Sequence, residues 1–575
     1  MNLSKNILKL KETKGNAIIA TFSTLCIFLQ CILFQGIAFG DAVGWPFIPC
    51  LFIKLGIALF FAAFTLITKR KYWIVVVTFL LAIWCMAELI YLRANNILID
   101  AYSITMVHNM DGVWSSIWIY NHFIDWLLLV PTALLWVVVY FFNNKSRNKW
   151  AFIITIVISL LLTLIFGYQS HTRVMHHQPE ECKHSHILNI FAKFDKDNST
   201  FFGYTPEQYA RNLSVFHSLI YNVKELVVML FQSDVFELSD EDKQQIAPFV
   251  HADSIQIAPS SPIIVVLVES FESWAIHPDV TPNLCQFIDK TSSLLYANNM
   301  QSQVRNGVSA DGQMIVNTGL LPITEGAACF RYPNNVYPAI THLYQNAGMI
   351  VAWDLSFWNQ KFMSDAYGIK QNYVVQGWDD KAYLSKLDTI KSLHDCLITM
   401  TVTMHSPFNS CPIYMYPRVE GMPEQMYKYV NSVKYLDQQL KSLLDQITHH
   451  PTFKNTTVVI TADHKVFSPD ARKQFEKFNK EHNLGFNQIT ASIPCIIYSP
   501  KIKEKVVITD TVYQMDVYPT ILHLLDCQSY YWKGFGVNLM EHDAWKNRPI
   551  QPAEAQQLSD KLIRANYFKQ LSVIQ

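Results

Sequence analysis

The sequence predicts an α/β protein in two parts: five transmembrane helices, then an extracytoplasmic domain with a mostly parallel sheet flanked by helices. Three observations carry this. Half of the 575 residues are hydrophobic, and most of the apolar runs lie before residue 170, so the excess marks a membrane part rather than one large core. From Pro262 onward, short β-branched runs alternate with amphipathic stretches, the pattern of a parallel sheet covered by helices. Lysine and arginine fall in alternate loops of the first part, which orients it. The predicted division is 1–168 for the membrane part, 169–261 for a linker, and 262–575 for the outer domain.

Five segments approach or exceed the ~20 apolar residues that a bilayer crossing requires. They are Ala17–Phe39, which has no charge, then Ile48–Thr68, Trp73–Leu92, Trp126–Phe142 and Trp150–Tyr168. The first is too long for the apolar part of a cleavable signal, and four more follow it. Lys5, Lys9, Lys11 and Lys14 precede the first span. Lys69, Arg70 and Lys71 separate the second and third, and Lys145, Arg147 and Lys149 the fourth and fifth. The other loops hold only Arg93, so the N-terminus is predicted cytoplasmic and everything after Tyr168 outside. Lys54, Glu88 and Asp125 interrupt the spans near their outer ends, where a buried charge must pair or meet water.

The linker region carries His176, His177, His184 and His186, whose irregular spacing reads as a solvated loop rather than a metal site. Within it, Pro206–Phe231 places Leu213, Phe216, Leu219, Ile220 and Val223 on one helical face. That pattern predicts an amphipathic connector at the membrane surface. In the outer domain the predicted strands are Ile263–Val268, Met349–Trp353, Asp395–Thr403, Thr457–Thr461 and Ile493–Tyr498. Helices are predicted over Thr281–Ser292 and Met426–Ile447. Lysine plus arginine equals aspartate plus glutamate at 46 each, and no basic stripe exists to support nucleic-acid binding. None of the eleven cysteines forms a Cys-x-x-Cys pair, so neither a zinc finger nor a disulfide pairing can be read from spacing.

In parallel α/β sheets, active residues gather just past the carboxyl ends of strands. Glu269, His405, Asp463 and His464 all stand in that position. Ser309 offers a hydroxyl between Gly307 and Gly312, within the polar stretch Gln303–Gln313. Two carboxylates, an imidazole and the Ser309 oxygen make a four-ligand, oxygen-rich set suited to Mn²⁺, Mg²⁺ or Zn²⁺. A cation there lowers the pKa of the serine hydroxyl and offsets charge on a transferring phosphoryl group. His405 then holds a phosphate oxygen or serves the leaving group with a proton.

Taken together, Val-Glu-Ser (268–270), Gly-Val-Ser-Ala-Asp-Gly-Gln (307–313), Phe-Trp-Asn (357–359), Met-His-Ser-Pro-Phe (404–408), Ala-Asp-His (462–464) and Asp-Val-Tyr-Pro-Thr (516–520) resemble the lipoteichoic acid synthase family. That resemblance implies five membrane helices and an extracellular domain like the sulfatases and alkaline phosphatases. It implies metal ligation by Glu269, Ser309, Asp463 and His464, manganese being the first choice of metal. It also implies Ser309 as nucleophile, a phosphate contact at His405, and substrate contacts at Trp358 and Asp354. The implied activity is transfer of a phospholipid headgroup phosphate at the cytoplasmic membrane to an envelope glycan, lipid or polymer. Phosphatidylglycerol is the first donor and phosphatidylethanolamine the second; a catalytically inactive envelope scaffold is the non-enzymatic alternative. Relative to the family, Ser309 replaces a threonine, Val308 a lysine, Gln360 an arginine and Asp354 a histidine. A formylglycine sulfatase is ruled out, because Ala310–Gln313 lacks the proline and arginine its signature needs.

Overall fold

The computed structural model describes residues 2–40, 47–95, 98–101, 120–144, 146–176, 210, 214–231, 236–251 and 258–572. The linker histidines 177, 184 and 186 lie outside them, as does Cys182. Two compact units form, one within residues 1–232 and one from 233 to 575.

The first unit contains five helices long and apolar enough to cross a membrane: Lys14–Phe39, Phe47–Leu66, Trp73–Arg93, Phe123–Phe142 and Lys149–Ser170. With that count, the chain is a multi-pass membrane protein. Several polar groups inside this unit are bonded across neighbouring helices, as lipid demands. Gln30 Nε2 donates to Thr78 O, Leu128 O and Thr132 Oγ1, tying three spans together. Ser159 Oγ donates to Gly56 O at 2.7 Å. A Cβ at Gly56 would fall 2.6 Å from Thr163 Oγ1, so only glycine lets the second and fifth spans approach this closely.

The fourth span starts three residues earlier than predicted, with the 3₁₀ turn Phe123–Leu129. Asp125 explains the turn: it accepts His122 N at 2.9 Å and a bidentate fork from Arg93 at 2.6 and 2.7 Å. Its buried charge is thus paired. Glu88 accepts the backbone N–H of Ile99 at 2.8 Å.

The helix Val215–Phe231 departs from the surface connector predicted for it. Val215, Phe216 and Tyr221 join the core of the first unit, and the rings of Phe61 and Phe216 stack at 4.8 Å. Ser214, Ser218 and Asn222 are buried, while Ile220 and Val223 are exposed. Asn222 Nδ2 donates to Ile99 O at 2.8 Å. The buried side of the helix is therefore mixed, with Ser218 and Asn222 beside Phe216 and Tyr221.

The second unit is built on a nine-stranded sheet: β1 (Ile263–Val268), β2 (Leu294–Gln301), β3 (Ala347–Ala352), β4 (Gln371–Val375), β5 (Cys396–Met400), β6 (Thr457–Ala462), β7 (Ser492–Tyr498), β8 (Val506–Ile508) and β9 (Val512–Tyr513). The order is β4-β3-β5-β1-β6-β7-β2-β8, with β9 beside β2. The first five in this order run parallel; β7 is antiparallel to both β6 and β2. All six residues of β1 are buried, each aliphatic side chain there contributing about 1.5–3 kcal/mol by leaving water. The long helix Glu424–His449 packs on this sheet through Val430, Val433, Leu436, Leu440, Leu443 and Leu444.

Register sets up the site. Val268 on β1 pairs with Ala462 on β6, so Glu269 and Asp463 leave the sheet side by side. Leu267 pairs with Met400 on β5, which brings Thr401 to the same rim.

Candidate active site and metal centre

Glu269, Asp463 and His464 each offer one ligand atom within 4.8 Å of the others, and all three are buried. His464 Nε2 lies 3.6 Å from Glu269 Oε1 and 3.5 Å from Asp463 Oδ2. Ser309 Oγ lies 3.3 Å from the same nitrogen. The other ring nitrogen, Nδ1, donates to Lys465 O at 2.8 Å. A carbonyl can only accept, so this bond fixes the tautomer and leaves the Nε2 lone pair facing the carboxylates, as in metal-bound histidines. The cluster therefore fits a divalent cation: two carboxylates, one imidazole with a free lone pair and one hydroxyl converge in a buried space.

The ligand atoms are held from behind. Ser270 Oγ donates to Glu269 Oε1 at 2.6 Å, and Glu269 N to Thr401 Oγ1 at 3.0 Å. Asp463 Oδ1 accepts from Ser270 N and His464 N at 2.8 and 2.7 Å. Glu272 is fully buried and accepts from Trp274 Nε1, Val466 N and Phe467 N. It also takes Arg472 Nε at 3.2 Å and Nη2 at 2.5 Å. That carboxylate fastens the strand end after His464, and its many charge-assisted donors compensate its burial.

Burial and the adjacent Glu269 carboxylate push Asp463 up to about 6. Burial opposes protonation of His464, yet the carboxylates of Asp463 and Glu269 prevail and raise its pKa. Both shifts describe a cluster short of positive charge.

Ser309 stands in the first turn of the helix Val308–Thr318, not in a free loop. Val308 holds a left-handed φ of 43°, a conformation of the kind stored at functional turns. Asp311 Oδ2 accepts from Arg305 N and Gly307 N, both at 2.9 Å, and folds the incoming chain onto the helix start. A Cβ at Gly312 would collide with the backbone carbonyl of Asp463, so glycine there lets the serine helix and the Asp463 strand end meet.

His405 is half-buried on the loop after β5. Its Nδ1 donates to Ser406 O at 2.8 Å, so Nε2 carries the lone pair. Trp378 packs on the ring at 4.9 Å, and burial lowers its pKa. Asp380 accepts from Val402 N and Thr403 N at 2.6 and 2.9 Å, bracing the turn that carries it. Trp358 and Asp354 stand on the loop after β3. Trp358 packs against Phe330 and Phe357, each at 6.0 Å. Asp354 is exposed and accepts from Ser356 N, a local turn bond.

Sequence reasoning passed over Ser270, Glu272, Trp378, Asp380 and Arg305. Ser270 adjoins Glu269 in Val-Glu-Ser, which was signal enough; Glu272, Trp378 and Asp380 act through contacts distant in sequence, whereas Arg305 lies within the polar stretch Gln303–Gln313.

A parallel α/β sheet with a buried acidic and histidine cluster past β1 and β6 defines the sulfatase and alkaline phosphatase class. Residues 261–527 match the sulfatase family model, and residues 1–180 match the lipoteichoic acid synthase N-terminal domain. The chain is thus similar to lipoteichoic acid synthases, with a sulfatase-like part beside its apolar helices. It is 25% identical over 322 residues to the lipoteichoic acid synthase-like protein YvgJ of Bacillus subtilis, covering 50% of this chain and 51% of that one. The chain thus spans about half the length of this curated relative. It is 21% identical over 533 residues to the lipoteichoic acid synthase of Staphylococcus saprophyticus, covering 85% of this chain and 77% of that one. The crystal structure of the lipoteichoic acid synthase LtaP from Listeria monocytogenes matches with a TM-score of 0.45 and 19% identity, over 52% of this chain and 81% of that one.

Proposed function

We propose that this chain is a membrane-anchored phosphotransferase that moves the headgroup phosphate of a phospholipid to an envelope acceptor. Residues 262–575 serve as its catalytic domain. The observation that carries this reading is Ser309 Oγ at 3.3 Å from His464 Nε2, inside the buried Glu269–Asp463–His464 cluster. Glu269, Asp463, His464 and Ser309 would hold a divalent metal, manganese first and magnesium or zinc as alternatives, which would lower the pKa of the serine hydroxyl and offset charge on the phosphoryl oxygens.

The Ser309 oxygen attacks phosphorus, and the bond from phosphorus to the diacylglycerol oxygen breaks. His405 Nε2 carries the proton from the attacking hydroxyl to the departing diacylglycerol. An acceptor hydroxyl on an envelope glycan, lipid or polymer then attacks phospho-Ser309. Its proton passes by His405 to the serine oxygen, and the starting enzyme is restored. Trp358 and Asp354 flank the headgroup. The donor is phosphatidylglycerol, a reading supported by relatives named lipoteichoic acid synthases.

Mass spectrometry of the full chain in detergent, after incubation with defined phospholipids, tests this. A phosphoglycerol mass on Ser309 is expected from phosphatidylglycerol. An adduct formed only with phosphatidylethanolamine would name the other donor, and no adduct with any lipid would leave a binding or scaffolding protein.

The charged loops support a cytoplasmic N-terminus and a catalytic domain outside the cytoplasmic membrane, where outer-leaflet lipid would be the donor. A reporter fused after Gln575 is expected to be active only when exported. One inserted within Asn143–Lys149 is expected to be active only in the cytoplasm. The reverse pattern would remove the outer leaflet as donor source.

A further inference from the structure

Six arginines lie beyond residue 233, and five of them are engaged. Arg472 is held by Glu272, Arg548 by Asp516 and Arg418 by Glu424. Arg564 lies 3.8 Å from Asp560, and Arg331 Nη1 donates to Glu325 O. Arg305 is the exception. It is half-buried, its Nε is buried with no hydrogen-bond partner, and among the described residues no carboxylate forms an ion pair with it, though its charge acts on the nearby Asp311 carboxyl. A buried guanidinium N–H without an acceptor calls for an explanation, and a ligand that brings the acceptor supplies one.

The position of Arg305 says which ligand. Its backbone N–H and that of Gly307 are both clamped by Asp311, and Val308 N donates to Arg305 O at 3.1 Å. Arg305 therefore sits on the same rigid turn as Ser309, four residues ahead of it, at the electropositive start of the Val308–Thr318 helix. Positions 308 and 360 offer no cation. Val308 is apolar, and Gln360 is buried, its amide directed to Met349 Sδ and Ser364 Oγ. The lysines of the groove beside Lys465 are balanced locally: Lys473 by Asp470, Lys477 by Glu481 and Lys480 by Glu476.

We propose that Arg305 is the guanidinium that binds the non-bridging oxygens of the phosphate acted on by Ser309. This rests on the phosphotransferase reading above. The planar fork of arginine matches two phosphate oxygens at once, and its charge meets the negative charge gathered on those oxygens during transfer. The cation at this site thus comes from the turn before the nucleophile, rather than from the residue next to it or from the loop after Trp358.

Inorganic phosphate binding to the full chain in detergent, with Mn²⁺ present, tests the assignment by titration calorimetry. Arg305→Ala is expected to weaken phosphate binding by roughly tenfold or more, the scale of a lost charge-assisted fork. Bound metal should stay unchanged, and Arg305→Lys should recover part of the loss. Arg305→Gln keeps the side-chain stem and serves if the alanine variant fails to fold. Unchanged phosphate affinity in a folded Arg305 variant overturns the proposal, as does a loss fully explained by lost metal. Failure of the wild-type chain to release diacylglycerol from any lipid would instead strike the phosphotransferase reading, while the phosphate titration still reports on Arg305.

Discussion

Ser309→Ala is expected to abolish diacylglycerol release from labelled lipid in detergent, by about a thousandfold or more, as when one member of a catalytic unit is removed. The fold should persist, because the hydroxyl bonds only within the cluster, to His464 at 3.3 Å and to the Asp463 carboxylate. Ser309→Thr keeps the oxygen and adds a methyl group, so measurable activity should remain. Ser309→Cys supplies a softer ligand and should fail with an oxygen-preferring metal such as Mg²⁺ or Mn²⁺. Wild-type release in the alanine variant would rule out a phospho-Ser309 ester and move the attack to water.

Glu269→Ala, Asp463→Ala and His464→Ala are each expected to lose bound metal and diacylglycerol release together. Ligands of one ion act as a unit, and the remaining three protein groups cannot hold it in this buried space. Elemental analysis of the full-length variants in detergent reads the metal directly, and full occupancy in all three would show that the ion sits elsewhere. Acid should mimic the loss. Asp463 is raised from 3.8 to about 6, so metal must displace its proton, and affinity should fall as pH drops below about 6. Stability of the metal-free protein runs the other way. A raised carboxyl binds its proton more tightly folded than unfolded, so stability declines as pH rises from 3.8 towards 6. Added Mn²⁺ should restore it above that window.

The spans were legible because nothing but length and uninterrupted apolarity decides them. Their surroundings were less so. Asp125 found Arg93 across the unit, and Val215–Phe231 buried Ser218 and Asn222 beside Phe216 and Tyr221 while Ile220 and Val223 stayed exposed, which costs little in apolar surroundings. In the second unit β1 and β6 stood out, since a strand buried on both faces must be aliphatic throughout. The strand β2 did not: Asn298 and Asn299 interrupt it, and its register shifts between Ala297 and Met300. The edge strand β4 is half-exposed and carries little apolar signal. That β7 runs antiparallel is a property of chain direction, which no local pattern encodes.

By itself the sequence determined where apolar runs end and which polar residue follows each: Glu269 after β1, Asp463 and His464 after β6, His405 beyond β5. These follow from residues adjacent in the chain, through burial and backbone hydrogen bonding. Only the tertiary structure decided that β1 and β6 are neighbours in a register that sets Glu269 beside Asp463. It also placed Ser309 on a helix start, where Gly312 lets the helix pass against the Asp463 backbone. And it decided which charges are engaged, with Glu272 saturated by donors and Arg305 left without an acceptor. Charge pairing depends on distance in space, and residues 200 positions apart, such as Glu272 and Arg472, leave no trace of it in sequence order.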